Sequence, residues 1–360
     1  MTIDQTIRRD LDPALLDAFV GRFAVDFGAA VHASTVVVGD KLGLYTALAA
    51  EEPCDPAALA TATGCDPRLV EEWLRAQFVS GYCSHDPEAG TFWLEPEQAA
   101  VLADPASPAY LIGAMTLAAS TAKDEAKVRE AFRSGEGFAW HAHDHDLFHG
   151  VERMFKTGYL ANLVGEWIPA LDGVEARLDE GAKIADLGCG HGASTLLLAE
   201  AYPRCTVVGF DYHAESIAVA RQRAREAGLA DRVEFTVASA QDFPGTGYDL
   251  VCVFDALHDM GDPLGAAAHI RRALAPEGSL LLVEPMAGES LTDNANPIGR
   301  IYYAASTTIC TPSAQAQEGG FALGNQVSER TWRDILGRAG FGLVERATET
   351  PFNRVFQARS

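Results

Sequence analysis

Lys183-Ile-Ala-Asp-Leu-Gly-Cys-Gly-His-Gly-Ala-Ser-Thr195 is the stretch that decides the fold of this 360-residue chain. An apolar run leads to Asp186, a turn with Gly188 and Gly190 follows, and an apolar helical segment begins at Ser194. Glycines allow positive φ angles and a close ligand approach, and a helix start offers unpaired N–H groups and a positive dipole end. The pattern predicts a strand, a tight turn and a helix that together hold a nucleotide-like cofactor.

The glycine turn alone fits two classes of cofactor. Gly188-x-Gly190-x-x-Ala193 matches the dinucleotide fingerprint, but a lone match of this kind is weak. Asp186 lies two residues before the first glycine, where a carboxylate can face a cationic amino-acid group but is badly placed against a pyrophosphate. The position of Asp186 therefore favours S-adenosylmethionine over a dinucleotide.

Two later strands end in polar residues that suit an adenosine. The run Cys205 to Asp211 reads as the second strand, and its closing acid suits a ribose diol in either cofactor. A third strand from Val233 ends in a polar turn with Gln241 and Asp242, which can reach an adenine amino group.

These three features in this order resemble the class I S-adenosylmethionine-dependent methyltransferases. The resemblance implies an α/β fold with a Rossmann-like, seven-stranded, mostly parallel sheet, and S-adenosyl-L-methionine as cofactor. Alternation of strand and helix from 172 to 360 also predicts a parallel sheet, and the runs 342–348 and 353–359 predict an antiparallel closing pair. The residues expected at the cofactor are Asp186, Gly188, Cys189, Gly190, Ser194, Thr195, Asp211, Tyr212, Ala240, Gln241, Asp242 and Asp255, with Phe148 and Tyr159 as pocket walls.

The amino-acid composition is that of a globular protein without a membrane-spanning segment. Apolar residues make up 48% and charged residues 22% of the chain, as in ordinary globular proteins. No apolar run approaches the roughly 20 residues of a membrane span, and residues 1–9 lack the apolar core of a signal peptide. The seven cysteines are scattered without a Cys-x-x-Cys pair, which fits a reducing compartment. We expect a cytoplasmic protein without a membrane partner.

Residues 1–105 predict a mainly helical, winged-helix-like domain. Asp55-Pro and Asp66-Pro are helix starts with an N-cap and a proline at the first position, and residues 81–94 read as a hairpin. A winged helix usually suggests DNA binding, but residues 35–104 hold three Lys or Arg against twelve Asp or Glu, and the whole chain carries −22. Because such a surface repels phosphate, we expect no nucleic-acid partner.

The same arrangement precedes the catalytic domain in small-molecule O-methyltransferases similar to caffeate methyltransferases, where it mediates dimerisation. It also precedes the domain in related actinobacterial-type enzymes. The resemblance therefore implies a homodimer. The apolar helical residues 14–38 are a buried helix pair, a cover over a pocket or part of the dimer contact. It also implies a small-molecule substrate for the domain at 172–360.

Residues 106–171 form a predicted helical connector and pocket lid. It contains Trp140-His-Ala-His-Asp-His-Asp-Leu-Phe-His149. In an extended chain His141, His143 and His145 share a face, whereas in a helix His141, His145 and His149 do, and either spacing can bind a borderline metal. A solvated loop and a substrate pocket are the alternatives. We assign no metal here and expect His143 and His145 to contact the substrate.

A candidate base follows the fourth strand. Leu257-His258-Asp259-Met260 is similar to the Leu-His-Asp-Trp sequence of plant-type O-methyltransferases, whose histidine is the general base. The resemblance carries that role to His258, although the Trp position is not matched and a histidine here can serve packing alone. Tyr302 and Tyr303, on an apolar helix at 298–309, are expected to face the substrate.

Two other functions use the same features. Some bacterial relatives methylate the carbon of an α-keto acid with a histidine-bound metal, which the 141–149 cluster and His258 could supply. A winged-helix transcriptional regulator that senses the cofactor is the second. The sequence does not separate methylation at O, N, S or C.

Overall fold

The computed structural model describes residues 11–50 and 53–360 and divides the chain into two compact units, residues 1–119 and 120–360. Residues 1–9, for which the sequence predicts no signal peptide, lie outside the described part. The division places residues 120–171 of the expected connector in the same unit as the cofactor turn. The expected boundaries at 105 and 171 remain predictions.

The N-terminal unit is the predicted winged-helix-like arrangement. Asp12, Asp55 and Asp66 each accept backbone N–H bonds at a helix start that is followed by proline. A hairpin follows the fourth helix, with Ser84 paired to Trp93. The elements are α1 (Pro13–Lys41), α2 (Leu44–Ala50), α3 (Pro56–Thr63), α4 (Pro67–Val79), β1 (Ser84–Asp86), β2 (Thr91–Trp93), α5 (Pro96–Leu102) and α6 (Gly113–Thr121), the last of which leads into the second unit.

Helix α1 carries an apolar stripe on its surface. It has 29 residues and is therefore about 44 Å long. Leu15, Phe19, Phe23 and Phe27 recur at helical spacing, and each side chain is more than 60% exposed. No part of the described chain covers this stripe, and an exposed apolar patch of this kind marks an interaction surface.

The second unit is a seven-stranded sheet with helices on both faces, as the sequence predicts. The strand order within the described residues is β5-β4-β3-β6-β7-β9-β8. Strands β3 to β7 are parallel to one another, and β9 runs antiparallel to both of its neighbours, β7 and β8. Its elements are α7 (Glu125–Ser134), α8 (His145–Asn162), α9 (Val174–Glu180), β3 (Lys183–Leu187), α10 (Ala193–Ala201), β4 (Thr206–Asp211), α11 (Ala214–Glu226), β5 (Val233–Val237), β6 (Tyr248–Phe254), α12 (Pro263–Ala273), β7 (Leu274–Pro285), α13 (Pro297–Ala305), α14 (Thr311–Gln315), α15 (Glu329–Arg338), β8 (Leu343–Glu349) and β9 (Asn353–Arg359).

The strand order places the site. β3 pairs with β4 on one side and with β6 on the other. The order in which strands are added to the sheet therefore reverses at β3, next to the glycine turn. Ligands of open α/β sheets bind at the carboxyl edge at such a switch point. Apolar clusters fill both faces of the sheet, one around Leu198 and Ile217, the other around Ile270 and Trp332. The core therefore holds the carboxyl ends of β3, β4 and β6 together.

Local structure around the histidine cluster differs from both sequence alternatives. Asp144 accepts the N–H of Asp146 and caps α8, which therefore begins at His145. His141 lies before it in a single 3₁₀ turn, Trp140–Ala142. The four histidines consequently share neither an extended face nor a helical face.

Two helices contain one turn of π-helix, at Leu163–Trp167 after α8 and at Ser306–Cys310 between α13 and α14. Such turns are rare in proteins, and those that occur are often found at functional sites. Among the described helices, none combines the length and the apolar character that crossing a bilayer requires.

Candidate functional site

The glycine turn is held in place by its neighbours. Gly188 and Gly190 have φ angles of 70° and 52°, in the region that favours glycine. The N–H groups of Gly188 and Cys189 donate to the carbonyl of Phe210, at 2.8 and 3.1 Å. A Cβ on Gly192 would lie 2.6 Å from Cζ of Phe235. The turn after β3 is thus fixed against β4 and β5.

Asp186 is a buried carboxylate with one unused oxygen. Ser194 and Thr195, in the first turn of α10, donate their hydroxyls to Oδ2 at 2.7 and 2.6 Å. Oδ1 has no hydrogen-bond partner among the described residues. Burial raises the pKa of Asp186 to about 6, against the lowering effect of the two hydroxyl bonds. A buried acceptor without a partner is costly, so this oxygen is suited to a cationic ligand.

Asp211 closes β4 next to the same turn. Its carboxylate accepts the N–H of Gly190 at 2.9 Å and the N–H of His213 at 2.8 Å. Burial raises the pKa of Asp211, and these two backbone bonds oppose the rise. The carboxylate is therefore oriented at the rim of the turn, where the sequence places a ribose.

Aromatic rings surround the region after β4. The ring of His141 stacks on that of His213 at 5.9 Å and lies 6.2 Å from that of Tyr212, which is half-exposed. Phe148 lies 6.2 Å from His213. The structure thus brings the predicted residues Tyr212 and Phe148 to one place beside Asp211.

The turn predicted to contact the adenine is held by hydrogen bonds within the turn itself. Asp242 uses one oxygen to accept the N–H and the hydroxyl of Ser239, at 3.1 and 2.6 Å. Gln241 is exposed, and Ala240 is half-buried against the sheet core. The contact of these three residues with an adenine remains a prediction.

An ion-pair cluster that the sequence did not indicate joins α8 to the glycine turn. Glu152 of α8 accepts a hydrogen bond from Nδ1 of His191, within the turn, at 2.7 Å and another from Arg223 of α11. Burial raises the pKa of Glu152, but these partners outweigh it and lower the pKa to about 2. Tyr159, two turns further along α8, packs on Phe254 at the end of β6, with ring centroids 5.2 Å apart. Helix α8 is therefore held both to the cofactor turn and to the end of β6.

Asp255 ends β6 in a strained conformation. Its φ of +48° is uncommon for a residue other than glycine, and such strain persists mainly at functional sites. Oδ1 accepts Nδ2 of Asn353 at 2.7 Å, whereas Oδ2 has no partner in the described part of the chain. Burial and the charge of Glu284 hold the pKa of Asp255 well above its ordinary value.

His258 is buried between two carboxylates. Its Nδ1 lies 2.6 Å from Oε2 of Glu284, and its Nε2 lies 3.1 Å from Oδ1 of Asp259. Burial alone would lower the pKa of His258, but the charges of Asp259 and Glu284 outweigh it and hold the pKa well above its ordinary value. The imidazole is consequently a proton donor as it stands, and the general-base role remains a prediction.

The segment from α13 to α14 forms the wall opposite this histidine. Tyr302 is buried and donates its hydroxyl to the carbonyl of Phe352 at 2.7 Å, whereas Tyr303 is partly exposed. Cys310 ends the π-helical turn and is buried. Burial raises the pKa of its thiol to about 12. A substrate contact of either tyrosine remains a prediction.

His143 is the one buried histidine of the 141–149 cluster. Its Nδ1 lies 3.0 Å from Oδ2 of Asp124, and its Nε2 lies 3.4 Å from Oγ of Ser313 in α14. Burial lowers the pKa of His143, although the Asp124 carboxylate opposes this. This imidazole is therefore neutral at pH 7, in contrast to that of His258.

The metal hypothesis for the 141–149 cluster finds no geometric support. His141, His145 and His149 are exposed, and His143 is occupied by Asp124 and Ser313. Within residues 11–50 and 53–360, the group of His, Cys, Asp or Glu side chains close enough to share an ion is His258, Asp259 and Cys310.

Several of these residues escaped the sequence analysis. Glu284 had a signal, since an acid at the end of the apolar run 279–283 lies at the carboxyl edge of the sheet. Asp124, Glu152 and Cys310 had no such signal. The contact of Asp124 with His143 joins residues 19 positions apart, and that of Glu152 with Arg223 joins residues 71 positions apart. Only the fold brings them together.

Comparison with known proteins agrees with this geometry. Residues 178–336 match the family model described as a methyltransferase domain, and residues 30–104 match the Rv2258c-like winged HTH domain. The demethylmenaquinone methyltransferase of Thermus thermophilus is 34% identical over 112 residues, which cover 31% of this chain and 51% of that protein. The first curated relatives are matched over 24% to 51% of their own length.

Two solved structures share the fold over nearly the whole chain. The mitomycin 7-O-methyltransferase MmcR has a TM-score of 0.69 at 22% identity and covers 97% of this chain and 100% of its own. An O-methyltransferase of neocarzinostatin biosynthesis, in complex with S-adenosyl-L-homocysteine and 1,4-dihydroxy-2-naphthoic acid, has a TM-score of 0.60 at 18% identity over 91% and 95%. The chain therefore combines a winged HTH domain at residues 30–104 with a methyltransferase domain at residues 178–336, in the fold of the class I S-adenosylmethionine-dependent methyltransferases.

Proposed function

We propose that this protein transfers the methyl group of S-adenosyl-L-methionine to a small-molecule acceptor. The observation that carries the proposal is the buried Asp186, whose Oδ1 lacks a partner in the described chain beside a glycine turn. An α-ammonium group satisfies that oxygen and offsets the cost of its burial. The carboxylate end of the methionine would lie at the N–H groups that open α10, where the helix dipole favours negative charge.

The ribose and adenine are assigned to the next two strands. Asp211 is oriented by Gly190 and His213, and a carboxylate suits two ribose hydroxyls. Tyr212 and Phe148 supply aromatic surface beside it, and Ala240, Gln241 and Asp242 lie after β5. When bound, the cofactor supplies an activated methyl group, so that the protein mainly positions the acceptor in line with it.

The acceptor is assigned to the region between the β6 loop and the α13–α14 segment. His258 lies at the carboxyl edge of the sheet, two residues after Ala256, whose Cβ would be 3.1 Å from a Cβ on Gly188. His143 approaches from the other side through Ser313. This proximity to the glycine turn supports a role of His258 at the reacting group, with His143 and Tyr303 as contacts of the substrate.

Other hypotheses have less support. A DNA-binding regulator needs free cations on α4, but Arg68 and Arg75 are paired with Glu71 and Glu72 on the same helix. Keto-acid methylation through the 141–149 cluster lacks the converging ligands. The nature of the methylated atom is left to acceptor screening.

The first prediction concerns the ribose contact. Asp211→Asn should weaken S-adenosylmethionine binding by about 1–3 kcal/mol, the scale of lost charge-assisted hydrogen bonds, as measured by titration calorimetry. Asp231→Asn, at an exposed loop position, is the matched control and should leave affinity unchanged. Equal affinities of the two variants would remove Asp211 from the cofactor site.

The second prediction is a pH dependence of cofactor binding. Because the pKa of Asp186 is about 6, its carboxyl is neutral below that value and anionic above it, while the ligand's α-ammonium persists to about pH 7.7. Affinity should rise from pH 5 to pH 7 and then level off. Asp211, whose pKa burial also raises, and the Tyr159 phenol face the same region. Asp186→Asn should flatten the profile, and a profile that persists in this variant would assign it to Asp211.

The third prediction separates catalysis from binding. His258→Ala should lower kcat by about 10²–10⁴, measured as S-adenosylhomocysteine formation with an acceptor found by screening phenols, thiols and amines. Cofactor affinity should change less than twofold, since no cofactor contact is assigned to this side chain. Normal turnover of the variant would make His258 structural.

The fourth prediction concerns assembly. We propose that the apolar stripe of α1 packs against a second copy of the chain, because four large apolar side chains on one helix are left exposed and the resemblance to small-molecule O-methyltransferases implies a homodimer. Phe19→Glu with Phe23→Glu should convert a dimer to a monomer in light scattering. Val79→Glu, also at an exposed apolar position, is the control, and a monomeric native protein would contradict the proposal.

A further inference from the structure

Three side chains with metal-binding atoms converge beside the proposed acceptor region. The donor atoms of His258, Asp259 and Cys310 all lie within 4.8 Å of one another, and Nε2 of His258 is 3.1 Å from Oδ1 of Asp259. In a tetrahedral site with bonds of about 2.0–2.3 Å, donor atoms are about 3.3–3.8 Å apart. The His–Asp pair is close to this spacing already.

The surroundings of these side chains are those of a prepared ligand set. A metal-binding histidine usually donates its other ring N–H to a carboxylate, which fixes its tautomer and its orientation. Nδ1 of His258 makes this bond to Glu284, whose second oxygen accepts the N–H of Leu257 at 3.1 Å. Nδ2 of Asn325 donates to the sulfur of Cys310 at 3.6 Å, and this contact orients the side chain.

The local charge is unbalanced. Asp259 and Glu284 are carboxylates on either side of a single imidazole, and Glu284 is fully buried. Oδ1 of Asp259 is buried and has no partner with hydrogen-bond geometry in the described part of the chain, despite its closeness to His258. A divalent cation would satisfy that oxygen and offset the negative charge.

The backbone supports the same conclusion. Cys310 is the last residue of a π-helical turn, a less stable geometry that is retained mainly at functional sites. Gln317 donates to the carbonyl of Asp259 at 2.8 Å and so holds the loop after β6 against the α14 end of that segment. Two separate segments are thereby locked with their donor atoms facing each other.

We propose that His258, Asp259 and Cys310 bind one divalent transition metal of the zinc class. Imidazole, carboxylate and thiolate together suit zinc and its cobalt substitute. On binding, the proton on Nε2 of His258 and the thiol proton of Cys310 pass to solvent, and the metal takes their places. Three protein ligands leave a coordination position open.

The open coordination position can bind the methyl acceptor. Resting on the proposed methyl transfer, an oxygen or sulfur of the acceptor binds the metal, which polarises it and favours loss of its proton to solvent. His258 then acts as a ligand and not as the base. The substrate class becomes a hydroxyl or thiol compound that can reach a metal beside the glycine turn.

The test uses the full chain, stripped with a chelator and titrated with Co²⁺ and with Zn²⁺. We expect one equivalent of Co²⁺ to bind, with a thiolate-to-cobalt charge-transfer absorption that Zn²⁺ abolishes. Cys310→Ser should remove this absorption, and Asp259→Asn should weaken binding at least tenfold. Cys65→Ser and the double change His141→Ala with His149→Ala are controls that should retain both. Each variant is checked by its melting temperature and by calorimetric titration with S-adenosylmethionine.

The outcomes separate this proposal from the proposed function. Absence of saturable binding, or binding that survives both Cys310→Ser and Asp259→Asn, would overturn the metal site. Loss of binding only in the His141 and His149 variant would move the metal to that cluster. S-adenosylmethionine that binds a metal-free chain leaves methyl transfer standing without this site. A metal that binds a chain with no affinity for S-adenosylmethionine would leave the site standing and remove the function.

Discussion

The position of β3 between β4 and β6 is the constraint on which the rest of the structure depends. Parallel pairing on both sides brings three strand ends to one edge. After β3 the chain continues to β4 on one side of it, and after β5 it continues to β6 on the other side. In the proposed function, Asp186, Asp211 and the turn at 240–242 lie at the ends of β3, β4 and β5, whereas His258 follows β6. A single strand order therefore separates donor from acceptor by the width of one strand, about 4.8 Å.

Buried negative charge is the second theme of this edge. Asp186, Asp211 and Asp255 each close a strand or stand near its end, and burial raises the pKa of each. Burying carboxylates costs free energy unless partners compensate. Hydroxyls and backbone N–H groups compensate part of that cost here, and the oxygens left without partners in the described chain are those at which a cationic ligand would bind.

Sequence reasoning was most successful where the signal was local. The turn at Gly188, the acid at Asp211 and the closing antiparallel strands follow from periodicity, glycine placement and family motifs, and the fold confirms them. It was least successful between residues 140 and 149, where both regular conformations were wrong because Asp144 caps α8 within the cluster. The thiol near His258 could not be predicted, because residues 258 and 310 meet only once β6, β7 and the α13–α14 segment are packed.

The π-helical turn at Ser306–Cys310 also determines which side of its helix faces the site. An α-helix advances by 100° per residue, so the extra residue of a π turn rotates everything after it by that angle relative to an uninterrupted helix of the same residues. A change of this turn to α-helical geometry at constant length would carry Ser313 to a different side of the helix, even with every side chain unaltered. Deletion of one residue from the turn would instead be absorbed by the loss of the π geometry, so the backbone geometry of this segment decides which side chains face His258 as much as their identity does.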